Sequence, residues 1–255
     1  MENQERIYGG DIIAGRNPVS EALRSGRAID CLYVAKGQRQ DGGVIARAKK
    51  AGIPVKEADS RKLDHLCSGA GHQGIVAVAA AKEYASVEDM LALAETRGEP
   101  PLLLICDGLE DPHNLGAVIR SAECAGAHGV IIPKRRSVGL TYAVAKASAG
   151  AVEYMPVARV QNLVLLLEEL KKRGLWIFAA DMDGQPWCQT DFSGPAAIVI
   201  GSEGKGVGRL VKEKSDFVVS LPVRGRVNSL NASVAAGILC YEAVRQRHMA
   251  LGIAK

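Results

Sequence analysis

Aromatic residues make up only 4% of this 255-residue chain. That scarcity argues against recognition by aromatic stacking platforms, where successive rings receive successive bases. The six cysteines, at 31, 67, 106, 124, 188 and 240, form no C-x-x-C pair, and the five histidines make no H-x-x-x-H. Neither a metal site nor a disulfide framework is expected. Scattered, reduced, mostly buried thiols suit a cytoplasmic protein. No stretch approaches the roughly 20 apolar residues that cross a membrane, and the polar opening MENQERIYGGD is unlike a signal peptide. No internal repeat or low-complexity tract is present. The common nucleotide fingerprints are missing as well. The segment after Cys106 lacks G-x-G-x-x-G, and the glycines after Ile200 lack G-x-x-x-x-G-K-[ST]. There is no G-x-S-x-G, and no serine or cysteine has an evident histidine partner.

What is present is an ordinary globular composition. Hydrophobic residues make up 47% and charged residues 24%, enough for a sizeable core. The length suits one large domain or two smaller ones. The net charge of +4 permits an acidic partner without demanding one. The excess leans toward the N-terminus: residues 1–80 carry 12 Lys+Arg against 9 Asp+Glu.

The chain divides at Thr96-Arg97-Gly98-Glu99-Pro100-Pro101, a cluster of helix breakers. Before it, residues 1–80 read as a small α/β unit. Asn17-Pro18 opens a helix over 19–24, 29–35 is strand-like, 43–51 is helical and closed by Gly52, and Ser60 caps 61–67. Residues 74–80 form an apolar strand after a glycine-rich turn. Residues 81–101 read as a linker holding one short helix over 86–94. From Leu102 strands and helices alternate. Strands are expected at 102–106, 129–132, 152–157, 175–180, 196–200 and 217–221, and helices at 115–125, 140–148 and 160–172. This alternation implies an α/β fold with a mostly parallel sheet covered on both faces. In the helix over 160–172, Glu168→Lys172 and Glu169→Arg173 stand i,i+4 on the outer face. A last helix carries Leu230, Val234, Ile238 and Tyr241 at 3.6-residue spacing, with Ser229 or Asn231 as its cap.

In such sheets ligands sit at the C-terminal ends of strands. Three ends are distinctive: Asp107 through Gly116 with Arg120 on the helix beyond, Gly201-Ser202-Glu203-Gly204, and Leu221-Pro222 through Asn231. Glycines there let a ligand lie against the main chain. The polar residues are mostly uncharged: Asn114, Arg120, Glu203, Ser229, Asn231 and Ser233. Such a set orients, hydrogen-bonds and stabilises charge, which suits transfer from a cofactor carrying its own driving force. Each residue also has a bland reading. Arg120 is a solvated side chain, Glu203 a surface turn residue, Asn114 (or Asp111) a helix cap, and Lys134-Arg135-Arg136 a charged turn.

Taken together, the strings DGLEDPHNLGAVIRSAECAG, IVIGSEGKGV and SLPVRGRVNSLNASVAAGILCYE resemble, in order and spacing, the three motifs of the SpoU (TrmH-type) family of RNA ribose 2′-O-methyltransferases. The resemblance covers residues 102–247. The opening IYGGDIIAGRNPVSEALRSG and the later GHQGIVAVA are similar to the family's L30e-like RNA-binding domain. Within the family they resemble the bacterial branch acting on a guanosine ribose of 23S rRNA. The resemblance implies an L30e-like domain over 1–80, a linker over 81–101, and a SpoU methyltransferase α/β-knot domain over 102–255. It also implies S-adenosylmethionine as cofactor, RNA as partner, and a homodimer with the knotted region at its interface. It places cofactor contacts at Gly201, Leu221 and Leu230, and the functional polar residues at Asn114, Arg120, Glu203, Ser229 and Asn231. Neutralising an arginine near pH 7 costs about 7–9 kcal/mol, so Arg120 is expected to clamp phosphate and stabilise the developing alkoxide while Glu203 or water takes the proton. The alternatives are the same transfer on a tRNA, or a non-catalytic RNA-binding protein of ribosome assembly.

Overall fold

In the computed structural model, residues 11–38, 41, 43–68, 71–227 and 229–252 are described. The N-terminal stretch before Asp11 and residues 69–70 of the glycine-rich turn lie outside them. In chain order the first elements are β1 (Asp11–Ala14), α1 (Arg16–Arg24), β2 (Ile29–Ala35), α2 (Val44–Lys50), β3 (Val55–Ala58), α3 (Ser60–Leu66) and β4 (Ile75–Ala79). Then come α4 (Val87–Arg97), β5 (Leu102–Asp107), α5 (Pro112–Cys124), β6 (Gly129–Pro133), α6 (Tyr142–Ala147) and β7 (Val157–Val160). The last are α7 (Leu163–Lys172), β8 (Trp176–Pro186), β9 (Ala196–Gly201), α8 (Arg209–Lys214), β10 (Phe217–Ser220) and α9 (Ala232–Ala250).

The chain packs into two compact units. One takes the described residues up to Glu83 together with Leu140–Tyr154; the other takes Tyr84–Gly139 and the chain from Met155. The first unit is built on a four-stranded sheet in the order β1-β4-β2-β3, antiparallel except for β2 with β3. All five residues of β4 are buried. Leu140–Tyr154 belongs here because of a charged network. The Arg27 guanidinium donates to Glu153 Oε1 at 2.7 Å and to the Ala80 carbonyl at 2.8 Å, and it pairs with Asp11. Lys82 Nζ donates to the Glu153 carbonyl at 3.0 Å. Gly150, at φ +94°, lets the segment close on α1; a Cβ there would stand 2.7 Å from Glu21 Cβ. These constraints replace the strand expected at 152–157. Ala151–Glu153 is a turn of 3-10 helix, and the strand is β7.

The second unit holds a six-stranded sheet in the order β10-β8-β9-β5-β6-β7, every pair parallel. Its central strands read as near-continuous apolar runs because both faces are covered: Leu102–Cys106 and Ala196–Ile200 are fully buried. Each buried aliphatic side chain contributes roughly 1.5–3 kcal/mol. Residues 84–101 do more than link. Helix α4 has a capping box between Ser86 and Asp89 and ends at Gly98 in the left-handed conformation. Its Met90 is buried in the core of the sheet, in the space a side chain at Gly129 would take. The surface pairs of α7 also differ from the helical pattern: Glu168 pairs with Lys214 at 2.8 Å and Arg173 with Glu88 at 3.0 Å, because neighbouring elements offer better geometry.

Two irregularities shape the C-terminal end of this sheet. Val218 pairs with Ala179 but Val219 with Gln185, so residues 180–184 of β8 have no partner on β10, although Ala180 still pairs with Ile200 of β9. Gly184 permits the return, since a Cβ there would lie 2.5 Å from the Val218–Val219 main chain. After β10, at the sheet edge, the chain crosses back so that α9 packs on β9 and α5. The buried residues of α9 are Ala232, Ala236, Leu239, Cys240, Glu242 and Ala243. Two residues of the apolar stripe are turned outward, Val234 at 48% and Tyr241 at 50% exposure.

Candidate active site

Three loops meet at the C-terminal end of the parallel sheet. Strand β5 ends in Asp107, whose carboxylate accepts from Gly208 N at 2.7 Å and ties the β5 loop to the β9 loop. Asp111, not Asn114, caps α5, accepting from His113 N at 3.1 Å with Pro112 in the first turn. That leaves the Asn114 side chain, 7% exposed, free for another task. Its Nδ2 donates to Glu203 Oε1 at 3.0 Å, and its Oδ1 accepts from Asn231 Nδ2 at 2.8 Å. Asn231 Nδ2 also donates to Glu203 Oε1 at 2.6 Å, while Asn231 Oδ1 caps α9 through Ser233 N and Val234 N. Residues 114, 203 and 231 thus close a triangle. Both amide bonds fall on Glu203 Oε1, and among the described residues none is made to Oε2.

Beside the triangle lies a cavity of about 310 Å³. Gly201, Leu221 and Leu230, the three expected cofactor contacts, all line it, as do Glu203 and Ser229. Residues 180–182, at the break in the β8–β10 pairing, complete the wall; Asp181 and Met182 carry no sequence signal of this role. Lys212, with its pKa raised by Asp183 and Asp181, pairs with both at 2.5 and 3.0 Å and braces this excursion. Gly201 lines the cavity, but its Cβ position points away from it. A Cβ there would overlap the main chain of Gly206 and Val207, so its glycine is required by the loop's own return. Substituting it would disturb the loop before it excluded a ligand. Arg120 stands apart: it is exposed on α5 and makes no hydrogen bond to the triangle. Burial pushes the Cys106 and Cys240 thiols up to about 12, so both remain protonated core residues rather than nucleophiles. Among the described residues no group of three His, Cys, Asp or Glu could hold a metal ion, and no helix is long and apolar enough to cross a membrane.

Residues 101–241 match the model of the SpoU rRNA Methylase family, and residues 12–85 match that of the RNA 2′-O ribose methyltransferase substrate-binding domain. The YacO protein of Bacillus subtilis (strain 168), assigned to the TrmH family of tRNA/rRNA methyltransferases, is 52% identical over 243 residues, 93% of this chain and 96% of its own. The chain belongs to the SpoU (TrmH-type) family of RNA methyltransferases. Its fold is likewise that of solved SpoU structures. AviRb from Streptomyces viridochromogenes, in complex with its cofactor AdoMet, superposes with a TM-score of 0.81 at 24% identity, covering 98% of this chain and 95% of AviRb. An RNA 2′-O ribose methyltransferase superposes at 0.76 with 28% identity over 92% of this chain and 88% of that one. The SpoU α/β knot accounts for the crossing from β10 back to α9, a topology that general connection rules disfavour.

Proposed function

We propose that the protein methylates a ribose 2′-hydroxyl in RNA, with S-adenosylmethionine in the cavity lined by Gly201, Leu221 and Leu230. The observation that carries this reading is the triangle of Asn114, Glu203 and Asn231 at the cavity wall. The lining fits the cofactor. Apolar Leu221, Val223 and Leu230 suit an adenine face, and the peptide groups of 201–206 suit its polar edge. When bound, the cofactor supplies an already activated sulfonium methyl. The chain's task is then to place a weakly nucleophilic hydroxyl and remove its proton. Asn114 and Asn231 fix Glu203 through Oε1, and Oε2 accepts the hydroxyl proton as the oxygen attacks. Arg120, a permanent cation with no hydrogen bond or ion pair among the described residues, clamps RNA phosphate and stabilises the developing alkoxide. Ser229, which lines the same cavity, is assigned a hydrogen bond to the bound cofactor.

We assign RNA reading to the first unit, whose basic excess and match to a substrate-binding domain support it. The target we favour is a guanosine of 23S rRNA, from the resemblance of IYGGDIIAGRNPVSEALRSG and GHQGIVAVA to that branch. The apolar stripe on α9, with Val234 and Tyr241 exposed and Ile238 half-buried between them, supports a homodimer through α9, since such a stripe on a globular protein marks an interface. The deciding experiment incubates the protein with methyl-tritiated S-adenosylmethionine and either ribosomal RNA or tRNA, then maps 2′-O-methyl sites. Label in a 23S guanosine is expected; label only in tRNA would move the target, and label in neither would leave an RNA-binding protein. Sedimentation as a monomer at micromolar concentration would remove the dimer.

A further inference from the structure

The turn Lys134-Arg135-Arg136 after β6 belongs neither to the triangle nor to the cofactor cavity, yet its conformation is held from both sides. Val138 N donates to the Leu109 carbonyl at 3.0 Å and Ser137 Oγ to the same oxygen at 3.2 Å, fastening the turn to the β5 loop. Arg159 donates to the Lys134 carbonyl at 3.1 Å on the other side. Between these anchors Arg136 adopts φ +58°, a left-handed conformation that a long L side chain rarely takes. Strain of this kind persists only where the surroundings enforce it, and it gathers at functional sites.

Arg136 lines a second cavity, of about 320 Å³, between the β5 loop and the β9 loop. Ser202, Glu203, Lys205 and Gly206 line both this cavity and the cofactor cavity, so Glu203 stands in their common wall. Asn114 lines the second cavity as well. The remaining charges are mixed. Asp107 accepts from Gly208 N, and Asp111 from His113 N. Glu110 is exposed, and among the described residues no carboxylate pairs with Arg136. Such a lining does not suit a bare anion, which four carboxylates would repel. It suits a ligand with hydroxyl and N–H donors for the open carboxylate oxygens and one phosphate for the guanidinium. The volume sits at the low end for small-molecule sites, enough for a single nucleotide.

We propose that this second cavity seats the target nucleotide, and that Arg136 is a positioning residue that pairs with a phosphate flanking the acceptor ribose and so turns that ribose toward Glu203. The inference rests on the RNA methylation reading and adds the acceptor's place and its phosphate anchor.

The test uses the full chain with Arg136→Ala, Arg136→Lys and Arg136→Gly, and ribosomal RNA as substrate. With Arg136→Ala, KM for RNA rises at least ~10-fold, while the affinity for S-adenosylmethionine in calorimetry is unchanged. The slope of log KM against log salt becomes shallower by about 0.7, the loss of one phosphate contact on a single strand. Arg136→Lys keeps the slope but recovers KM only in part, since an ammonium is a point charge without the paired fork. Arg136→Gly removes the backbone strain and raises Tm, yet shows the RNA defect of the alanine variant. A merely structural role predicts the reverse for glycine. Wild-type KM and salt slope in both Arg136→Ala and Arg136→Gly would overturn the inference and leave the methylation reading standing. A wild-type protein that labels no RNA would overturn both.

Discussion

The Arg27–Glu153 network of the first unit and the Asn114–Glu203–Asn231 triangle of the second each join side chains more than 80 positions apart in sequence. They are built on opposite terms. Arg27 and Glu153 have side chains only 8% and 2% exposed, and their charges are spent on each other, on Asp11 and on the Ala80 carbonyl. Lys82 stands 3.9 Å from Glu153 Oε2, and burial lowers its pKa. Glu153 Oε2 has no hydrogen-bond partner either, but it is buried 3.9 Å from the Lys82 ammonium, so nothing there is open to a ligand. The triangle has one charge among neutral amides, opens on two cavities, and leaves one carboxylate oxygen uncommitted. A closed, charge-paired network holds a segment in place; an open, under-committed one is equipped to meet a substrate.

The largest effect expected is on stability in the closed network. Arg27→Met leaves Glu153 buried with only the distant Lys82, and should cost about 3–5 kcal/mol, read as a fall in the urea midpoint. A loss below about 1 kcal/mol would mean that the network is solvated and that it differs less from the triangle than its burial implies. In the open network the expected effect is on rate. Asn114→Ala should lower methyl transfer at least ~100-fold, the low end for a lost electrostatic group, with Tm only slightly reduced because water can replace an amide at the cavity. Arg120→Ala should lose a similar factor with Tm and cofactor affinity unchanged, since it has no hydrogen-bond partner among the described residues. Near-wild-type turnover in either variant would take that residue out of the mechanism.

The smallest effect is a pH dependence that neither network supplies. His128 is fully buried; its Nδ1 accepts from Leu102 N at 3.0 Å, so its proton lies on Nε2, 3.1 Å from Glu99. Burial lowers its pKa, against the opposing hydrogen bond to Glu99. The unfolded chain therefore gains a proton near pH 6.5 that the folded chain takes only at lower pH. This contribution to stability is full above about pH 6.5 and is lost as pH falls through the folded value. The urea midpoint should drop between pH 7.5 and 5.5, and His128→Gln should flatten that drop. An unchanged slope in the variant would assign the dependence to another group.

Much of the second unit is readable in the sequence because parallel strands buried on both faces announce themselves as short apolar runs. The three motif strings likewise mark the loops at the site: the second and third line the proposed cofactor cavity and the first lines the adjoining one. The first unit is readable as a small α/β sheet, but the return of Leu140–Tyr154 to it is not. Its reasons are a single buried arginine and a glycine at position 150, neither of which has a periodic signature. The outward turn of the α9 stripe escapes the sequence for a similar cause. The stripe has helical spacing, but periodicity says only that a face is apolar, not which neighbour covers it.

Local pattern by itself determined the element types, the glycine-rich loops and the family, because strand length, turn chemistry and motif spacing are properties of contiguous residues. Tertiary structure alone decided that Asn114, left free by the local Asp111 cap of α5, meets Glu203 and Asn231. It also decided that the Cβ position of Gly201 faces its own loop, and that residues 180–182 line the proposed cofactor cavity while Arg136 lines the adjoining one. Each of these depends on which backbone lies within about 3 Å of which side chain, and hydrogen-bond geometry at that range is set by the crossing of distant strands rather than by the order of residues along any one of them.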